Sequence, residues 1–263
     1  MSNIATTLNA LKERGEKALI TFITAGDPDL ATSEQIVHTL IESGVDLIEL
    51  GFPFSDPMAD GPTIQLASER ALASGTTLRG VLDMVARVRQ YSNVPIVLMG
   101  YYNPVFCYGP EQFACDAAVA GVDGLLLVDL PAEEAGELHP LLKDAGVDLI
   151  TLLAPTTGEK RSTLLAAEGE GFLYYVSMTG VTGSQKVDAG AIAAAVNSLK
   201  IQSPVPVAVG FGVSTPKDAG AVARIADAVV IGSALVKLID EFSGSPRMLD
   251  EVKSFVQKLK AAI

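Results

Sequence analysis

The sequence is poor in the residues that most often announce a chemistry. Its 263 positions hold two cysteines, two histidines and no tryptophan. Cys107 and Cys115 are too few and too widely spaced for a disulfide framework or a zinc site, which suits a reducing compartment. His38 and His139 fall in helix-like stretches, so no histidine is expected where a zinc site or a Ser–His triad would need one. Basic charge is scarce too: 19 Lys and Arg face 31 Asp and Glu, a formal net charge of −12. With no run of Lys or Arg as a foothold, nucleic acid is not an expected partner. No stretch of about 18 apolar residues offers a membrane span. The N-terminus MSNIATTLNALKERGEK lacks the apolar core and cleavage site of a signal peptide. P-loop and EF-hand patterns are missing as well. These absences describe a soluble, cytoplasmic protein.

What is present is apolar and periodic. Hydrophobic residues make up 49% of the chain, enough for a large core. Short apolar runs with the length and β-branching of buried strands fall at Ala18–Thr24, Val45–Leu50, Pro95–Met99 and Gly124–Val128. Four more fall at Val147–Leu153, Phe172–Ser177, Pro206–Val209 and Ala228–Ile231. Helix-forming stretches lie between them, among them Thr32–Ser43, Glu111–Ala120, Ala132–Ala145 and Pro216–Arg224. Ser43-Gly-Val-Asp46, Ala120-Gly-Val-Asp123 and Ala145-Gly-Val-Asp148 repeat one device, a glycine that stops a helix directly before a strand. Eight βα units predict a (βα)8 TIM barrel, one domain over residues 1–263. Ile4, Leu8 and Leu11 add an amphipathic N-terminal helix. An open doubly wound sheet is the rival, but Thr24-Ala-Gly-Asp-Pro28 lacks the Gly-rich spacing such a sheet would carry after its first strand.

Barrels of this kind place their site at the C-terminal strand ends. Here those ends are rich in Gly, Pro, Asp and Thr, whereas the opposite ends look plain. Gly183, Gly212 and the Gly232-Ser233 pair follow the last three strands. Each glycine alone reads as a turn residue. Together they predict a phosphate grip of backbone N–H groups, with Ser233 opening a helix whose positive end faces the anion. Alternation puts Val45, Leu47 and Glu49 on one face, taken as the barrel interior. No predicted strand contains Lys or Arg to pair with Glu49. Its carboxyl should therefore resist ionisation and serve as a general acid near neutrality. Asp56 and Asp60 lie in the long Pro-rich loop that follows, either as turn or cap residues or as functional ones. Of Tyr174 and Tyr175 only one can enter the interior. Phe22, Met99, Leu126, Leu152, Tyr174 and Phe211 could line a flat apolar pocket, or serve as plain core. The reading at this point is a small phosphate ester handled by carboxylate acid–base chemistry.

Four unlinked motifs carry a resemblance over essentially the whole chain: ITAGDPD at 23–29, ELGFPFSDPMADGPTIQ at 49–65, GVTG at 180–183 and GFGVSTP at 210–216. In these the sequence resembles the α-subunit family of tryptophan synthase. That resemblance implies retro-aldol cleavage of indole-3-glycerol phosphate to indole and glyceraldehyde 3-phosphate, inside an α2β2 complex whose β subunit carries pyridoxal phosphate. It implies no cofactor or metal for this chain. The family's catalytic glutamate falls on Glu49, its aspartate on Asp60 and its tyrosine on Tyr174. Its phosphate site falls on Gly183, Gly212, Gly232 and Ser233. Thr182 matches a loop that closes over substrate, and Pro53, Asp56 and Asn103 match positions near the β subunit. By this resemblance Glu49 protonates indole C3, while Asp60, ionised in a wetter loop, holds the indole N–H. The group that deprotonates the glycerol hydroxyl stays open, with Glu49 after donation as one candidate. Met178, where relatives often carry Arg, and Phe52, where they carry a smaller residue, depart from the pattern. Absence of Trp suits a tryptophan-pathway enzyme. The rival activity is a stand-alone lyase that releases free indole.

Overall fold

A computed structural model of the protein describes residues 2–177, 188–210 and 212–263. Among the described residues nine strands form, most of them short apolar runs: β1 Ala18–Thr24, β2 Leu47–Gly51, β3 Ile96–Gly100, β4 Gly124–Leu127, β5 Asp148–Leu149, β6 Thr151–Leu153, β7 Leu173–Val176, β8 Val207–Gly210 and β9 Ala228–Ile231. All pair in parallel, in the order β5-β4-β3-β2-β1-β9-β8-β7-β6. The predicted fifth strand, Val147–Leu153, is broken at Ile150, whose side chain joins the interior cluster. β5 and β6 are thus one strand position that pairs β4 on one side and β7 on the other, and the chain itself closes the ring. The architecture is the expected TIM barrel, with nine segments in eight positions.

Period-two alternation divides every strand between two apolar layers. Ala18, Ile20, Leu47, Val97, Leu126, Ile150, Phe172, Tyr174, Ala208, Ala228 and Val230 fill the interior. Leu19, Ile23, Ile48, Leu50, Leu98, Leu125, Tyr175, Val209 and Ile231 face outward under the helices. Tyr174 is therefore the inward tyrosine and Tyr175 the outward one. Val45 departs from expectation: it precedes β2, where alternation has not begun, and packs in the outer layer. Another predicted element splits. Ala132–Ala145 becomes a 3-10 turn, Ala132–Glu137, and a helix, His139–Ala145, whose second residue is Pro140. Proline fits the first turn of a helix but not its interior.

The N-terminal helix, Asn3–Glu13, buries Ile4, Leu8 and Leu11 in the interior cluster and so closes the barrel floor. Ser2 Oγ donates to Asp148 (2.7 Å) and Asn3 Nδ2 to Asp123 (2.8 Å). Nor is this floor plain, as the sequence suggested. Leu19 N–H donates to the Asp46 carboxylate, Ile96 N–H to Asp123 and Val207 N–H to Asp227. Each aspartate N–H returns a bond to the same residue's carbonyl. Lys260, Arg89 and Lys200 neutralise the three carboxylates at 2.5, 2.5 and 2.7 Å. Asp148, after the third Gly-Val repeat, breaks the pattern by taking Ser2 instead. Among the described residues, no helix is long and apolar enough to cross a membrane.

Candidate active site

At the opposite end β2 delivers Glu49 into the interior, with Phe22 and Val97 as its register neighbours on β1 and β3. Glu49 is fully buried, and neither carboxyl oxygen has a hydrogen-bond partner among the described residues. Ionising such a group means placing a bare charge in an apolar medium. Burial accordingly pushes its pKa up to about 8. Tyr174, on β7, is buried in the same interior. Its phenol is pushed upward as well, first by burial and then by the nearby Glu49 charge.

The chain leaving β2 forms the loop that carries Asp60. Met58 N–H bonds Asp56 O (2.8 Å), and Asp60 N–H bonds Pro57 O (3.0 Å). Gln65 Nε2, one turn into the helix Pro62–Ala73, braces the loop by donating to Asp60 O at 2.8 Å. Gly61 is that helix's N-cap, so Asp56 and Asp60 are not its capping residues. Asp60 is half-buried rather than in a wet loop, and burial raises its pKa to about 6, with a Tyr101 hydrogen bond pulling the other way. Tyr101 Oη donates to Asp60 Oδ2 (3.0 Å) and accepts Ala59 N–H (3.0 Å). Sequence reasoning missed Tyr101 and Gln65. The only signal for either was its place inside MGYYNP or GPTIQ.

A narrow recess runs from Asp60 down toward the interior. Phe22, Thr24, Phe52, Phe54, Met99 and Tyr101 are among its walls. Two strand-end glycines make room for two of those rings. A Cβ on Gly51 would stand 2.5 Å from the Phe22 ring, and one on Gly100 would collide with Phe52. Phe52, the residue that departs from a smaller aliphatic, therefore fills space that Gly100 leaves open. Leu126 and Leu152 sit apart from these walls, Leu126 fully covered in the interior cluster and Leu152 packed against it.

Of the expected phosphate residues, Gly232 and Ser233 follow β9, and Gly212 lies just beyond the neighbouring β8. Ser233 opens the helix Ser233–Glu241, and Gly232 caps it without a side-chain hydrogen bond. Gly212 takes φ +74°, which disfavours any residue with a Cβ. The positive end of that helix and the flanking backbone make a site suited to an anion. Thr182, Gly183 and Phe211, with Met178, lie outside the described residues. Asp56 and Asn103 are exposed, whereas Pro53 is buried and can shape its loop but not touch a partner. Among the described residues no cluster of His, Cys, Asp and Glu could hold a metal ion. The two histidines lie away from the mouth: His38 is exposed on the helix Leu30–Glu42, and His139 pairs with Glu170 (3.0 Å).

The mouth thus joins a protonated acid, a carboxylate ionised at neutral pH, a narrow aromatic recess and a helix N-terminus. Comparison with known proteins identifies the family. The family model described as tryptophan synthase alpha chain matches residues 8–263. The tryptophan synthase alpha chain of Citrifermentans bemidjiense is 57% identical over 263 residues, covering 100% of this chain and 98% of the relative. The crystal structure of tryptophan synthase subunit alpha from Legionella pneumophila superposes with a TM-score of 0.93 at 40% identity, covering 100% and 98% of the two chains. A chain of the tryptophan synthase complex from Pyrococcus furiosus gives 0.83 at 37% identity, covering 93% and 98%.

Proposed function

This chain belongs to the tryptophan synthase alpha chain family, and we propose how its own residues carry out that family's reaction. It is a carbon–carbon lyase of tryptophan biosynthesis that cleaves indole-3-glycerol phosphate to indole and glyceraldehyde 3-phosphate. The observation that carries the assignment of roles is the unequal setting of two carboxyls. Glu49 is fully buried without a hydrogen-bond partner among the described residues, whereas Asp60 is half-buried and held by Tyr101. These settings bring their pKa values to about 8 and about 6. Between those values Glu49 holds its proton and Asp60 does not, the division that acid–base catalysis requires.

The substrate's phosphate sits at the Gly212, Gly232 and Ser233 corner, and the indole ring enters the recess against Phe22 and Met99. Glu49 delivers its proton to indole C3, which leaves the ring cationic at nitrogen. Asp60 accepts the indole N–H and stabilises that charge. The bond from C3 to the glycerol carbon then breaks, and its electron pair restores the aromatic ring. The hydroxyl on that carbon loses its proton as the aldehyde forms, and we assign this proton to the ionised Glu49. Tyr174 packs beside the reacting centre. Gly183, Thr182 and Phe211 retain the phosphate, closure and pocket roles implied by their motifs.

We take residues 1–263 as one domain and assign it no cofactor or metal, pyridoxal phosphate belonging to the β subunit. The partner is that β subunit, in an α2β2 assembly in the cytoplasm. Support comes from exposed Asp56 and Asn103 near Met58 and Phe106, which are 81% and 60% exposed. Large apolar side chains left bare beside a site suit a protein interface. The experiment is indole release from indole-3-glycerol phosphate with and without β subunit, across pH 5–9. Expected is a slow reaction stimulated many-fold by β, with kcat/KM falling below about pH 6 and above about pH 8. Fast release by the chain alone would instead favour the stand-alone lyase. No release with β bound would overturn the reading.

A further inference from the structure

We propose that Tyr101 is a positioning residue that holds Asp60 as an oriented carboxylate before substrate arrives. The proposal rests on the role given above to Asp60 and extends it to a residue that role does not name. Tyr101 follows β3 and is 3% exposed, its ring tilted against Phe54 at 5.3 Å between centroids. A phenol has one proton to give. Because Ala59 N–H already points at the Tyr101 oxygen, that proton goes to Asp60 Oδ2.

The bond does two things. It favours the charged acceptor, since hydrogen bonds to carboxylates are stronger than those to neutral oxygens. It also fixes Oδ2 against the residue that follows β3, which leaves Oδ1 as the oxygen for a ring N–H. The phenol does not compete for the charge, because burial and then Asp60 itself push its pKa upward. Among the described residues that line the recess, Thr24 and Ser68 also carry hydroxyls, but neither bonds Asp60. Phe22 and Thr24 come from β1, Ile64 and Ser68 from the helix Pro62–Ala73, and Val128 from the end of β4. Among titratable groups, Glu49 stays protonated beneath, Asp129 acts on Tyr101, and exposed Asp56 bonds Ser55. No Lys, Arg or His lines the recess among the described residues. Tyr101 therefore offsets part of the burial that raises Asp60.

The test is Tyr101→Phe, which keeps the ring, assayed with β subunit for kcat/KM from pH 5 to 9. The acid limb should move up by about one pH unit, since one charge-directed hydrogen bond is lost. That is roughly a fivefold loss at pH 6, approaching tenfold at pH 5, and a small one at pH 8, with the alkaline limb unmoved. A uniform loss at every pH, or no change, would overturn the proposal. In an Asp60→Asn background the same substitution should produce no pH-dependent loss. A carbon-13 titration of the Asp60 carboxyl in the substrate-free chain gives the second readout. Its midpoint should rise in Tyr101→Phe, and an unchanged midpoint refutes the idea. Because that titration needs no turnover, failure of the lyase reading and failure of this one are separable.

Discussion

At the floor of the barrel Asp46, Asp123 and Asp227 each accept a backbone N–H from the neighbouring strand and face a Lys or Arg. At the mouth, among the described residues, Glu49 and Asp60 face no base, and Asp60 accepts from the Tyr101 phenol. The residue type is the same at both ends, and what differs is compensation. A buried carboxylate that receives an N–H and a cation is a structural strut. Glu49, fully buried with neither, keeps its proton and can deliver it. Asp60, half-buried and given one phenol hydrogen bond, falls between the two. Burial lifts Asp123 and Asp148 too, but there the Ile96 N–H, Arg89 and Ser2 pull back. Among the described residues no comparable partner reaches Glu49.

The contrast breaks first, if it breaks, at Glu49. Glu49→Gln should lower kcat by about a thousandfold or more while leaving substrate affinity nearly unchanged, as single-turnover and binding measurements would register. Substantial residual turnover would remove it from the acid role. The same variant also tests the cost of the unpaired group. As pH rises from about 4.5 to about 8, the unfolded chain releases this proton while the folded chain keeps it, so wild-type stability falls across that window. Glu49→Gln should escape the fall and gain on wild type by a few kcal/mol (order of magnitude) between pH 5 and 8 in urea unfolding. A gap that stays constant with pH would mean Glu49 is already ionised.

Asp60→Asn should cost about a hundredfold in kcat, less than Glu49→Gln, because an amide oxygen can still accept the indole N–H but without its charge. Wild-type rates would refute its place at the indole nitrogen. The floor should behave in the opposite sense. Asp123→Asn leaves half-buried Arg89 without its counter-charge and should destabilise by roughly 3 kcal/mol, read from thermal or urea unfolding. Turnover per folded molecule should change less than about twofold. Lost activity at unchanged stability would erase the distinction between the two ends.

How much of this could be read beforehand differs residue by residue. Glu49 was legible because β2 alternates cleanly and no basic residue shares a strand. Val45 was misplaced because alternation was extended past the point where the strand begins. The enclosure of Asp60 was not legible, since it depends on Tyr101, 41 positions away in sequence. Nor could the paired state of Asp123 be foreseen. It was noticed only as the end of a Gly-Val-Asp repeat, whereas its partners Ile96, Arg89 and Asn3 come from three separate segments.

Local chemistry determined the elements. Apolar runs, their two-residue period and the stopping glycines specify strands, helices and their order, because each depends on near neighbours in the chain. That also sufficed to put a helix start at Ser233 and a buried acid at Glu49. Only the tertiary structure decided that Ile150 closes the ring, that the N-terminal helix seals the floor and that Lys260 neutralises Asp46 across 214 positions. Whether a carboxyl ends as strut or catalyst depends on which donors and cations fold against it, and long-range packing chooses those.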